Sequence, residues 1–131
     1  MKTLVSTIAL LVTITATSFA QTKAHSNHIE LTTSLEYDIT VVSWETFNEA
    51  NTSYFLIEKS TDGITFKKIG KQVASGSSNK VNSYTFEDLS VDSVLVQYRI
   101  TLICMDGSSF ASNTATSYPS NIAQVDTNGE H

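Results

Sequence analysis

The sequence predicts an all-β domain, a two-sheet antiparallel β-sandwich of about seven strands. Three observations carry that expectation. Apolar and polar residues alternate with the period of an extended strand in one segment after another, Asp-Gly pairs at Asp62-Gly63 and Asp106-Gly107 punctuate the chain, and no stretch has helical spacing. Its single proline and five glycines exclude a collagen-like or linker composition, and a hydrophobic share of 40% excludes disorder by composition.

The first segment stands outside that domain. Residues 1–20 read as a secretory signal peptide, with a positive Lys2, an apolar core from Leu4 to Ala16, and small residues at Ser18 and Ala20 where a signal peptidase cuts. The stretch is short and Thr-rich for a membrane anchor, and a polar leader over residues 21–27 follows it. Cleavage after Ala20 leaves 111 residues with seven Lys and Arg against 13 Asp and Glu, a net charge of −6. An acidic chain without a basic cluster is not expected to bind nucleic acid or anionic lipid. No second long apolar run follows, so no membrane span is expected after cleavage. Cys104 is the only cysteine, so an intramolecular disulfide is ruled out and burial is expected. The protein is therefore expected in the periplasm, on the outer surface or in the medium.

The sandwich is expected over residues 28–118, with a flexible tail at 119–131. Ile29, Leu31, Thr33 and Leu35 fall on one side of the first strand and Glu30, Thr32, Ser34 and Glu36 on the other. Residues 39–46 form a second strand, which carries Trp44 in register with Val42. A third spans residues 53–60, with Phe55 and Ile57 on one face and Tyr54, Leu56 and Glu58 on the other. After Asp62-Gly63 the chain returns over residues 65–69. Residues 73–82 form a Gly/Ser/Asn loop, and a brief strand covers 83–86. The strongest alternation is Val94, Val96, Tyr98, Ile100, Leu102 and Cys104, which predicts a central strand over 94–105. Asp106-Gly107 then turns the chain into a last strand over 109–118, closed by Pro119, which cannot donate to a ladder. A single flat sheet would leave Trp44, Phe55 and Tyr98 in water, so two facing sheets are expected.

An ordered set of residues carries a family resemblance. Trp44 and Thr46, Glu49 and Asn51, Phe55-x-Ile57-Glu58-Lys59-Ser60-x-Asp62-Gly63, Phe66-x-x-Ile69-Gly70, Gly76 and Ser78, Tyr84-x-Phe86-x-Asp88, Tyr98-Arg99-Ile100 and Asp106-Gly107 together resemble the fibronectin type III-like, immunoglobulin-like modules of secreted Bacteroidetes proteins. Those modules commonly precede the sorting domains of type IX secretion. The resemblance spans about residues 39–112 and implies a module that decorates larger enzymes, adhesins or gliding proteins. The chain departs from the pattern at Gln97, where the family has a second tyrosine, and at Cys104, where it favours a polar residue. No sorting domain of the usual size fits after Tyr118.

Chemistry-bearing constellations are sparse. His25, His28 and His131 lie in the leader and at the terminus, with no Cys or carboxylate completing a metal set. Asp62, Asp88, Asp92 and Asp106 have the oxygens calcium needs, yet their spacing is that of turn residues. The serines of residues 75–78 and 108–109 lack the strand-turn-helix setting of a nucleophile elbow. No enzyme activity and no cofactor are expected. Asn51-Thr52-Ser53 is a glycosylation sequon, and Asp92-Ser93-Val94 is similar to the O-glycosylation motif of Bacteroidetes, so Asn51 and Ser93 are candidate acceptors.

The third and sixth strands are expected to be neighbours. Tyr54, Leu56, Gln97, Arg99 and Ile103 then share one outer face with Glu58, a composition suited to protein binding. The function expected is that of a secreted noncatalytic interaction or accessory module, a monomer contacting a protein or glycan outside the cytoplasm. The alternatives are a carbohydrate- or calcium-dependent adhesion domain, or a degenerate stand-alone copy of a module from a larger protein.

Overall fold

A computed structural model describes residues 28–77 and 79–119. Eight strands form two antiparallel sheets facing one another, and no helix occurs among the described residues. One sheet holds β1 (Ile29–Glu36), β2 (Ile39–Phe47) and β5 (Val81–Asp88), in the order β1-β2-β5. The other holds β3 (Thr52–Ser60), β4 (Lys67–Val73), β6 (Val96–Cys104), β7 (Ser109–Ala111) and β8 (Ala115–Ser117). Its order is β4-β3-β6, with β7 and β8 following one another along the far edge of β6. This is a two-sheet antiparallel sandwich in which the fourth strand joins the sheet of the third.

The core is built by strands that alternate inward. Val42 and Trp44 of β2 face Phe55 and Ile57 of β3 and Val96, Tyr98, Ile100 and Leu102 of β6, all buried. Trp44 is 1% exposed and stacks on Tyr84 of β5 at 5.3 Å, while its edge meets Phe55 at 5.9 Å. Phe55, which meets both Trp44 and Tyr84, joins the two sheets through aromatic rings, which contribute the largest single areas a core can bury. The six side chains expected at the centre, Val42, Trp44, Phe55, Ile57, Tyr98 and Ile100, all meet there.

The turns obey the backbone chemistry available to them. Tyr37 and Asp38 join β1 to β2 with φ of 49° and 67°, the two positive values of a type I′ hairpin. Gly63 holds a φ of 74° in the β3–β4 turn, where a Cβ would also lie 3.1 Å from Gln97 Oε1. Asp62 Oδ1 accepts the N–H groups of Ile64 and Thr65 at 2.8 and 2.7 Å, an Asx turn that binds the chain until Lys67.

Several sequence-based boundaries need correction, beginning with the brief strand expected over 83–86, which is β5 and spans Val81–Asp88 because it pairs with β2 along eight residues, Thr40 to Phe47. The strand expected over 65–69 is β4, displaced to Lys67–Val73 by that Asx turn; Ile57 pairs with Gly70 and Glu58 with Lys68, so Ile69 is an extra residue. The sixth strand begins at Val96 rather than Val94, because β3 ends at Ser60 opposite Gln97 and leaves Val94 and Leu95 without a ladder partner. The last strand is two pieces. Ser112, Asn113 and Thr114 stand against only Arg99 and Ile100, and the Ser112 hydroxyl accepts the Ile100 N–H at 2.9 Å in place of a ladder carbonyl. Leu35, expected inward, is 40% exposed at the end of β1, and Pro119, assigned to the tail, is buried. Residues 1–27, which include the signal peptide, the leader and His25, lie outside the described residues, as do Ser78 and 120–131 with His131.

Candidate functional site

The outer face of β3 and β6 assembles as the alternation requires. Tyr54 pairs with Ile103, Leu56 with Thr101, Glu58 with Arg99 and Ser60 with Gln97. Tyr54, Leu56, Gln97, Arg99 and Ile103 are all half-buried rather than fully open. The face supplies part of its own cover. Lys71 Nζ sits 4.0 Å from the Tyr54 ring centroid, and the Arg99 guanidinium lies 4.1 Å from that of Phe66. Contacts of this kind contribute about 0.5–1 kcal/mol at exposed sites. Arg99 Nε donates to Glu58 Oε2 at 2.8 Å and Thr101 Oγ1 donates to the same oxygen at 2.6 Å. Burial pushes the Glu58 carboxyl up, but those hydrogen bonds and the Arg99 charge outweigh it and leave the group below its usual range. The face is an ordered mosaic of two cations, two aromatics and two aliphatics.

A second constellation lies at the end of the sandwich where β3 and β5 finish. Lys59 continues the inward face of Phe55 and Ile57, and its side chain is 12% exposed. Its ammonium donates to Asp88 Oδ2 at 2.7 Å, to Ser90 Oγ and to Asp92 Oδ2. Tyr98 donates its hydroxyl proton to Asp88 Oδ2 at 2.7 Å. Burial pushes the Asp88 carboxyl up, yet the bonds from Lys59, Ser90 and Tyr98 win and hold it at about 2. Desolvation by itself would lower the Lys59 ammonium; its two carboxylate partners raise it instead. Burial, and then Asp88, push the Tyr98 hydroxyl up. This network joins the two sheets and pins the 89–95 loop.

The opposite end has its own buried acid. Glu49 is fully buried; Tyr84 Oη meets its two carboxylate oxygens at 2.8 and 2.9 Å, Thr46 donates to Oε1, and the Gly76 N–H donates to Oε2 at 3.1 Å. Burial, then the bond to Glu49, raise the Tyr84 hydroxyl above its ordinary range. Glu49 thus anchors the 74–77 loop to the β2–β3 turn. Sequence reasoning passed over Lys59 and Glu49 as sites, although the alternation that turns Phe55 and Ile57 inward also turns Lys59 inward and demands an acid beside it.

The remaining candidates do not converge. Asp88 and Asp92 share Lys59; the backbone N–H groups of Thr65 and Ile64, then Ser60, hold exposed Asp62 at about 2; Asp106, at the other end, bonds Ser108. Among the described residues no group of three His, Cys, Asp or Glu side chains is placed to hold a metal ion. Cys104 is half-buried against the core, beside Met105 and Phe110 in a cleft. Asn51 is exposed in the β2–β3 turn and Ser93 in the 89–95 loop.

Comparison with known proteins shows the fold class. No protein-family model and no curated protein matches the sequence. Among solved structures, the chain is similar to pectate lyase Pel3 from Pectobacterium carotovorum, with a TM-score of 0.56 and 21% identity over 70% of this chain and 27% of that one. It is also similar to a β-1,2-glucanase from Parabacteroides distasonis, with a TM-score of 0.53 and 21% identity over 71% of this chain and 13% of that one. An Fn3-like protein from Clostridium thermocellum aligns at a TM-score of 0.47 and 19% identity over 69% of this chain and 88% of that one. The chain thus spans only 27% of the pectate lyase it matches.

Proposed function

We propose that the chain is a noncatalytic interaction or accessory module exported to the bacterial envelope or the extracellular space. The observation that carries this reading is where its polar groups go. Its inward-facing ionisable side chains, Lys59, Asp88 and Glu49, are all engaged in bonds that hold the fold, whereas the outer face of β3 and β6 presents ordered contact chemistry. The comparisons add support, because the two enzymes sharing the fold match it over only 27% and 13% of their lengths. Export rests on residues 1–20, and a Bacteroidetes host with type IX secretion rests on the family resemblance.

The contact surface in this reading is Tyr54, Leu56, Gln97, Arg99 and Ile103. Affinity capture with the mature chain from the envelope and culture medium of its host tests it. Replacing Tyr54 and Ile103 together by Ser is expected to leave the melting temperature near that of the parent while abolishing capture. Undiminished capture by the double variant eliminates the face.

A glycan partner is the second reading. Pectate, which the name of the first neighbour gives as its substrate, is a polyanion, and Lys71 and Arg99 flank ring surface at Tyr54 and Phe66 on this face. Titration with a pectate oligomer separates the readings: a saturable shift of signals around Tyr54 supports the glycan, and flat titrations remove it.

A further inference from the structure

Of the 13 large apolar side chains exposed among the described residues, eight lie at the end of the sandwich formed by residues 35–38, 61–66, 89–95 and 118. In the 89–95 loop two polar side chains are tied back to the sandwich, Ser90 to Asp88 and Asp92 to Lys59, while Ser93 stays exposed. The loop's apolar side chains turn outward, with Leu89 71% and Val91 81% exposed. Leu35, Val91, Val94 and Tyr118 line one depression, and Leu95 continues it beside Val94. Lys59 holds this apolar surface in place on a rigid scaffold, as a docking surface requires.

The charge around the patch identifies its occupant. Asp38 and Asp92 line the first depression and Asp62 the adjoining one; Lys59 behind them offsets one charge of the Asp88–Asp92 pair, and no Lys or Arg lines either depression, so this end keeps a net negative charge. A second copy of this chain docked end to end would bring the same acids against themselves, which like-charge repulsion opposes. An anionic membrane is repelled for the same reason. We infer that this end docks a protein segment whose apolar side chains are flanked by lysine or arginine. The surface differs from the outer face of β3 and β6 and stands or falls separately.

The test uses two short synthetic peptides of the same alternating leucine and valine sequence, one ended by lysines and the other by glutamates. Each is titrated into isotope-labelled protein followed by NMR. The lysine-ended peptide is expected to move the amide signals of residues 90–95 and 117–119, with an affinity that falls as salt rises. Val91→Ser with Val94→Ser is expected to weaken it about tenfold or more at an unchanged melting temperature. Tyr54→Ser with Ile103→Ser is expected to leave it unaltered, which separates this surface from the outer face. Equal binding of both peptides, binding of neither, shifts confined to the outer face, concentration-dependent self-association through these residues, or capture by anionic vesicles instead of the peptide would each overturn the inference.

Discussion

At the scale of single residues, the fold depends on a few side chains whose removal leaves nothing to replace them. Trp44, 1% exposed between Tyr84 and Phe55, is the largest. Trp44→Ala is expected to cost roughly 3–5 kcal/mol in a denaturant titration, a large part of a small domain's stability. Gly70 makes the opposite demand. A Cβ there would stand 2.4 Å from Phe86 Cε2, so the β5 ring occupies the space a side chain would need. Gly70→Ala is expected to lose about 1–3 kcal/mol, and pairing it with Phe86→Leu should recover part of that in a double-mutant cycle. Lys59 is the third such residue. Lys59→Met leaves Asp88 and Asp92 without their cation, so a stability loss larger than that of Lys71→Met is expected.

At the scale of elements, stability should follow pairing. β6 is bonded to β3 along its length on one side and to β7 and β8 on the other, whereas β7 and β8 are each three residues long and lie on an edge. Hydrogen exchange is therefore expected to be slowest in β3 and β6 and fastest in β7 and β8. Equal protection across that sheet would show that the Ser112 bulge does not interrupt it. β4 is the other open edge, and Lys67, Lys68 and Lys71 along it discourage pairing with another chain's edge.

At the scale of the whole molecule, the two sheets meet through a hydrophobic middle and carry a buried acid at each end, Glu49, which ties the 74–77 loop to β2 and β5, and Asp88, which ties β5 to β3 and β6. The second tie has a pH signature. Asp88 sits at about 2 when folded, below the usual unfolded carboxylate of about 3.9, so its contribution is present above that unfolded value. It fades as pH falls from about 4 toward about 2. Melting curves of the parent and Asp88→Asn are therefore expected to differ most near neutral pH and to converge in strong acid. A gap that widened on acidification would refute the assignment.

Much of this architecture was legible in the chain itself. The faces of β2, β3 and β6 were readable because strand alternation is local: each residue's side is fixed by its neighbours in sequence, and Val42, Phe55 and Tyr98 went where that period sent them. The outer row of Tyr54, Leu56, Arg99 and Ile103 was readable for the same reason. Where strands end was not, since Val94 and Leu95 continue the alternation perfectly well and fail only because β3 offers them no partner. Nor could the sequence reveal that Lys59, Asp88, Asp92 and Tyr98, spread over four decades of residue number, would meet at one point. That meeting depends on which sheet each strand joins, and the same folding step gathers the exposed apolar side chains of three separate loops at one end. Periodicity determined which way each side chain faces; only the stacking of the sheets decided what it faces.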